Sequence, residues 1–262
     1  LPNMVMMHDF NITEHHVIFM DLPLALDLDL LASGIPFSFQ RDKGARLGVM
    51  PRNGTNTDIR WFEIDPCYVF HPVNAFEKDN VITLYVSRQN SAFGADSEDY
   101  SEVGRLHRWQ IDLNSGTVSE DKVDDRAADF GRVNDSLVGL ENRFGYLMSL
   151  DGEGNSEEPI YGAKLYKYDL PKGSCEEHFL GHNVRGAEPV FASGATTASD
   201  LAKLSEDEGW IMTLAHDETS GRSRLVIIDA QNFSAPPVAT IELPFRVPYG
   251  AHGNWIPDVA MG

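Results

Sequence analysis

Three stretches decide the reading of this chain: RLHRWQIDLNSG at 105–116, AKLYKYDLPKGS at 163–174 and SRLVIIDAQNFS at 223–234. Each is a run of strand length, apolar and rich in β-branched or aromatic residues, closed by an aspartate and a turn cluster. The aspartates, Asp112, Asp169 and Asp229, fall 57 and 60 residues apart. Each stretch follows a second run of the same kind with a polar end: TLYVSR at 83–88, GYLMSLD at 145–151 and IMTLAHD at 211–217. A repeat of this length, with about four short strands per unit, is the sequence pattern of β-propeller blades. Chance likeness among the hairpins of a β-sandwich would produce the same words, and at this level that alternative stays open.

Outward from these stretches the pattern continues. Runs at 17–22, 47–50, 59–64 and 238–243 also read as strands, and the chain reads as all-β. Helical periodicity is scarce: a short helix is expected at 198–206, capped by Ser199 or Asp200, and another is an option at 24–33. Acidic clusters within 89–102, 120–125 and 151–158 read as solvated loops. The stretch from Leu22 to Phe39 is largely apolar, with Asp27 and Asp29 its only charges. It reads as a lid, an entrance to an apolar cavity, or a core strand and turn, and it offers a patch for transient membrane contact.

The 262 residues, 42% of them hydrophobic, suffice for a sizeable core and are expected to form one domain over 1–262. Asp and Glu number 40 against 21 Lys and Arg, a net charge of -19. Such a surface repels polyanions, which argues against nucleic acid and anionic membranes as partners. Two cysteines cannot build a disulfide framework, so a reducing, cytoplasmic setting is expected. No apolar run approaches the roughly 20 residues that span a bilayer.

Nine histidines offer candidate ligands, and three stand in unusual surroundings. His8 lies in MVMMHDFNIT (4–13), where an apolar run ends in Asp, Phe and a turn. His71 lies in YVFHPVNAFE (68–77), again at the end of an apolar run. His252 lies in VPYGAHGNW (247–255), between Gly250 and Gly253, and flanking glycines permit close backbone approach. Propeller strands converge on an axis, where imidazoles remote in sequence can meet at one metal; neutral imidazole suits Zn, Cu, Fe and Ni. Taken singly, each reads more readily as a hydrogen-bonded core or surface residue.

Together, the words MMHDFNIT, RWFEIDPCYVFHPVNAFE (60–77), GAEPVFAS (186–193) with EDEGWIMTL (206–214), and VPYGAHGNW resemble the carotenoid cleavage oxygenase family, which includes bacterial lignostilbene dioxygenases. The resemblance runs from Met4 to Trp255, in the family's order. It implies a partial seven-bladed β-propeller, of which this chain would be the C-terminal four or five blades. On the family's propeller axis four histidines hold a non-haem Fe(II), and His8, His71 and His252 match three of them. The family also places carboxylates against ligand imidazoles, which orients each ring and raises its basicity. Glu188 matches one such position. Asp129, in DFGRVNDSLVG (129–139), stands where the family usually has Glu and reaches one methylene less far.

By the same resemblance, the first ligand histidine, one supporting glutamate and several substrate-facing residues belong upstream of Leu1. His15 and His16 read instead as solvent-facing residues at a strand start. Met6, Met7, Phe70, Phe76 and Trp255 flank the histidine words; Phe70, Phe76 and Trp255 are candidates for an apolar substrate tunnel, with core packing the equal alternative. The implied activity is Fe(II)-dependent cleavage of a conjugated C=C bond by O₂, giving two carbonyl products from an apocarotenoid or stilbene. No catalytic side chain beyond the metal centre is assigned, and without the first ligand the stretch alone is expected to be inactive. The alternative is a non-catalytic propeller scaffold with a vestigial metal site. A calcium-dependent propeller hydrolase would need carboxylate ligands where histidines stand. An EF-hand at 151–162 is rejected, because Ser156 stands where Gly is needed, and no Walker or G-x-S-x-G motif occurs. Cys67 reads as a small buried residue.

Overall fold

The computed structural model describes residues 1–93, 103–151, 161–195, 200, 203–248, 250 and 252–256. Its elements are antiparallel strands joined by turns and short 3₁₀ segments, as an all-β chain requires. They form two compact units, Leu1–Asp125 with Gly139–Glu141, and Arg126–Val138 with Asn142–Gly262.

In the first unit, β1 (Phe10–Ile12) and β2 (His16–Asp21) are followed by a separate hairpin, β3 (Leu24–Leu26) and β4 (Phe37–Phe39). Next come β5 (Ala45–Pro51) and β6 (Arg60–Ile64), and the sheet order is β1-β2-β5-β6. A second antiparallel set follows: β7 (Tyr68–Lys78), β8 (Val81–Gln89), β9 (Arg105–Asp112) and the start of β10 (Thr117–Arg132). Alternating apolar residues send Leu47, Ile82, Leu84, Trp109 and Ile111 into one core, none with any exposure.

In the second unit the end of β10 pairs with β11 (Phe144–Ser149), which leads to β12 (Lys164–Asp169) and β13 (Ser174–Phe179). The last sheet holds β14 (Val184–Arg185), β15 (Val190–Ser193), β16 (Gly209–Asp217), β17 (Arg222–Asp229) and β18 (Ala239–Glu242). Each unit thus contains two sets of about four strands, the size of propeller blades.

The recurring aspartates sit at the tight turns. Asp112 accepts the amides of Asn114 and Ser115 at 2.8 and 3.0 Å, and Gly116 follows at φ 76°. Asp217 likewise accepts Thr219 and Ser220, and Asp229 accepts Gln231. These are Asx turns, in which a short carboxylate stands in for a backbone carbonyl. The bonds hold all three carboxyls below the usual range, chiefly through the Ser115 amide, the Ser220 amide and the Asn232 side chain respectively. Asp169 differs, taking Arg143 and Lys172 as partners.

Several local expectations are corrected. The segment 24–33 is not an α-helix: β3 is followed by a 3₁₀ segment, Leu28–Ser33, which Asp27 caps and Gly34 ends at φ 94°. Of the helix expected at 198–206, residues 198, 199, 201 and 202 lie outside those described, as do most of 89–102 and 151–158. The acidic run 120–125 is not a loop but part of β10. Glu120 accepts the Trp109 indole N–H at 2.7 Å, contacts His107 at 2.9 Å and pairs with Arg88 at 3.1 Å, which explains an acid in a strand. His16 is half-buried, with its Nδ1 2.6 Å from Glu77, rather than solvent-facing. Both cysteines are described and no disulfide joins them; Cys67 is fully buried, and burial pushes its thiol up to about 12. Among the described residues no helix is long and apolar enough to cross a membrane.

Candidate metal centre

In the first unit, residues 4–6 run alongside β3: the Met6 amide donates to Leu24 O and the Leu26 amide to Met4 O, both at 2.8 Å. The Tyr68 hydroxyl donates to Met6 O at 2.9 Å, which ties this segment to β7. His8 is thereby delivered next to His71. Pairing of β7 with β8 slips between Val69 and Pro72 and again between Pro72 and Asn74. Pro72 has no N–H to give to a ladder, so the irregularity falls there. In a regular strand, neighbours 70 and 71 point to opposite faces. At this bulge both rings meet His8, Phe70 at 5.4 Å and His71 at 5.0 Å between centroids, each edge-on. Phe70 in turn stands edge-on to Tyr68 and Phe93. His71 is buried and His8 exposed.

In the second unit the site grows from an interruption in a ladder. β14 and β15 pair with opposite ends of the same strand, β16. Between them residues 186–189 leave the ladder, and the Thr213 hydroxyl fills the gap: it donates to Ala187 O at 2.8 Å and accepts the Ala187 amide at 3.2 Å. Pro189 again has no donor to offer. Glu188 stands in this gap, buried. Its Oε1 lies 3.2 Å from His252 Nδ1, and its Oε2 accepts the Gly253 amide at 2.7 Å. With Nδ1–H given to a carboxylate, Nε2 keeps the lone pair that a metal requires. The ring of Phe130 lies 5.7 Å from that of His252.

The other candidates are placed as follows. Asp129 is buried, and its Oδ1 accepts the Phe130 amide at 2.8 Å, where β10 slips in register against β11. Phe130 adopts φ 57°, an uncommon conformation for a bulky residue. Phe76 is half-buried in β7 opposite Thr83, Trp255 is exposed, and Met6 packs against the core. Phe93, Phe130 and Arg132 stand beside the candidate residues without a ligand or tunnel reading in the sequence. Phe130 and Arg132 lie inside the quoted DFGRVN word, whereas Phe93 has no sequence signal.

The donors of each unit are chemically fit for a borderline transition metal: two imidazoles among aromatic rings in the first, and in the second an imidazole oriented by a carboxylate. Comparison with known proteins narrows the chemistry. The profile of the retinal pigment epithelial membrane protein family matches residues 1–257. The carotenoid 9,10(9',10')-cleavage dioxygenase 1 of Phaseolus vulgaris is 35% identical, over 97% of this chain and 49% of its own length. A carotenoid cleavage oxygenase of Mycobacterium tuberculosis is 31% identical, over 96% of this chain and 58% of its own. The crystal structure of Pseudomonas brassicacearum lignostilbene dioxygenase superposes with a TM-score of 0.87 at 28% identity, covering 98% of this chain and 56% of that one. The chain spans about half the length of these relatives. With a family profile matched along nearly all of its residues, it belongs to the retinal pigment epithelial membrane protein family, that of the carotenoid cleavage oxygenases.

Proposed function

We propose that this chain contributes His8, His71 and His252 to a non-haem Fe(II) centre in an oxygenase that cleaves a conjugated C=C bond of an apolar apocarotenoid or stilbene, giving two carbonyl products. A fourth imidazole, implied by the family resemblance, would complete the centre. The single observation that carries the reading is the carboxylate-held imidazole, Glu188 on His252 Nδ1, in a chain of this family. When bound, Fe(II) in an all-imidazole set supplies activation of O₂ toward the double bond.

The protein's own part is positioning. Glu188 orients His252 and leaves its Nε2 available; edge-on packing of His8 against His71 and Phe70 limits the rotation of all three rings. Phe70 and Phe93 offer apolar surface against which a rigid conjugated substrate can lie and from which water is excluded; regiochemistry then follows from how far the substrate is admitted. Asp129 is assigned a supporting role through the family resemblance, with its shorter reach met by water.

The test is made on this chain extended upstream to the length of its relatives. Reconstituted with Fe(II), it should cleave a stilbene or an apocarotenoid with O₂, while residues 1–262 alone should not. His71→Ala and His252→Ala should each lose stoichiometric iron. Full iron occupancy and turnover in His252→Ala would overturn the ligand assignment, and absence of iron from the unaltered protein would favour a binding scaffold.

The reading extends to two further points. Leu28, Leu31 and Ile35 are 65, 61 and 50% exposed within the stretch from Leu22 to Phe39; they form an apolar patch suited to transient contact with a lipid surface that carries such substrates. Vesicle flotation of a Leu28→Asp, Leu31→Asp variant tests this, with reduced flotation expected. We assign a reducing, cytoplasmic location on the cysteine content of the chain, two in 262 residues.

A further inference from the structure

We propose that Arg132 is a positioning residue for the metal centre: its guanidinium clamps the backbone after His252 against Glu188 and so fixes the direction of that imidazole. The proposal rests on the reading of His252 as a ligand. Residues 252–256 form no strand or helix, so no ladder holds the ring in place. Side-chain contacts do so instead: Glu188 meets His252 and Gly253, and Arg132 meets Gly253 and Asn254. Its Nη1 donates to Gly253 O at 3.0 Å and lies 3.5 Å from Glu188 Oε2. Its Nη2 reaches Asn254 Oδ1 at 3.3 Å and Asp135 Oδ1 at 3.4 Å.

Gly253 is consequently gripped from both ends. Its N–H goes to the carboxylate of Glu188 and its C=O to the guanidinium of Arg132, and the two charges face one another. A planar fork with several fixed donors can hold a carbonyl, an amide oxygen and a carboxylate together, and an ammonium cannot. Arg132 reaches this point because β10 resumes its register at Arg132, opposite Tyr146, just after the slip at Asp129. The bulge with its left-handed Phe130 thus sets the clamp as well as the ring that flanks His252.

The experiment uses the upstream-extended chain in metal-free form and two variants, Arg132→Lys and Asn254→Ala. Hydrogen exchange across 252–256 reads the clamp without any metal, and titration with Co(II) reads its consequence. Arg132→Lys should exchange about tenfold faster across that segment and bind Co(II) about tenfold more weakly, with its melting temperature unchanged. Asn254→Ala, at an exposed residue, should shift both in the same direction by less. Wild-type exchange and affinity in Arg132→Lys would show that charge alone suffices and would overturn the clamp. His252→Ala separates the two readings: wild-type Co(II) affinity in that variant would remove His252 as a ligand, while the exchange data would still judge whether Arg132 holds the segment.

Discussion

His71 and His252 are held in opposite ways. His71 is buried on a bulged strand and hemmed by rings, whereas His252 is half exposed on irregular backbone and held by a buried carboxylate and an arginine. Packing fixes the first and charge-assisted hydrogen bonding fixes the second. The two should therefore fail differently: loss of a ring near His71 is felt as lost stability, and loss of a charge near His252 as lost orientation at nearly constant stability.

The largest effect is expected from Phe70→Ala, which removes the ring shared by His8, Tyr68 and Phe93. Unfolding in urea should show a loss of about 3 kcal/mol, the lower end of the range for such truncations because Phe70 is only partly buried. A loss below about 1 kcal/mol would break the comparison on the packed side. Next, Glu188→Ala should weaken metal binding by about 10–100-fold in the upstream-extended chain, measured by titration. Glu188→Gln keeps an acceptor and should lose less. If both bind as the unaltered protein does, carboxylate control of His252 is wrong.

The smallest effects concern pH and sharpen the contrast between packed and solvated acids. Asp112, Asp217 and Asp229 have folded-state pKa values below those of the unfolded chain. Their contribution is present above the ordinary carboxylate pKa and is lost as pH falls through the depressed values. Asp112→Asn should flatten the acid limb of a stability profile slightly, since Asn can make the same turn. Glu206 behaves oppositely: burial raises its pKa, although it accepts the amides of Arg143 and Phe144. Stability should fall as pH rises from its unfolded pKa through the raised folded one, and Glu206→Gln should remove that slope. Chemical denaturation between acidic and neutral pH checks both signs.

How much was legible in sequence follows from how local each cause is. The strands and the Asp112, Asp217 and Asp229 turns are written within a few residues, so alternation and Asx chemistry reveal them. The acidic run in β10 reads wrongly because its partners, His107, Trp109 and Arg88, belong to other strands. The bulge that turns Phe70 and His71 toward one neighbour depends on register against β8, for which Pro72 is only a hint. Arg132 was invisible because the backbone it holds lies 121 residues further on. His8, His71, Glu188 and His252 are candidates through family words alone, since no spacing rule links residues so far apart.

The interval between β14 and β15 carries one more consequence. Side chains alternate along a strand, so deleting a single residue from 186–189 would turn β15 over. Phe191, 4% exposed and stacked on Tyr146 at 5.8 Å, would then leave that ring for the opposite face, where the smaller Val190 and Ala192 lie buried. The apolar interior therefore counts the residues in that interval. An engineer may exchange the side chain at 188 to retune the imidazole, but the length of the detour is not a free variable.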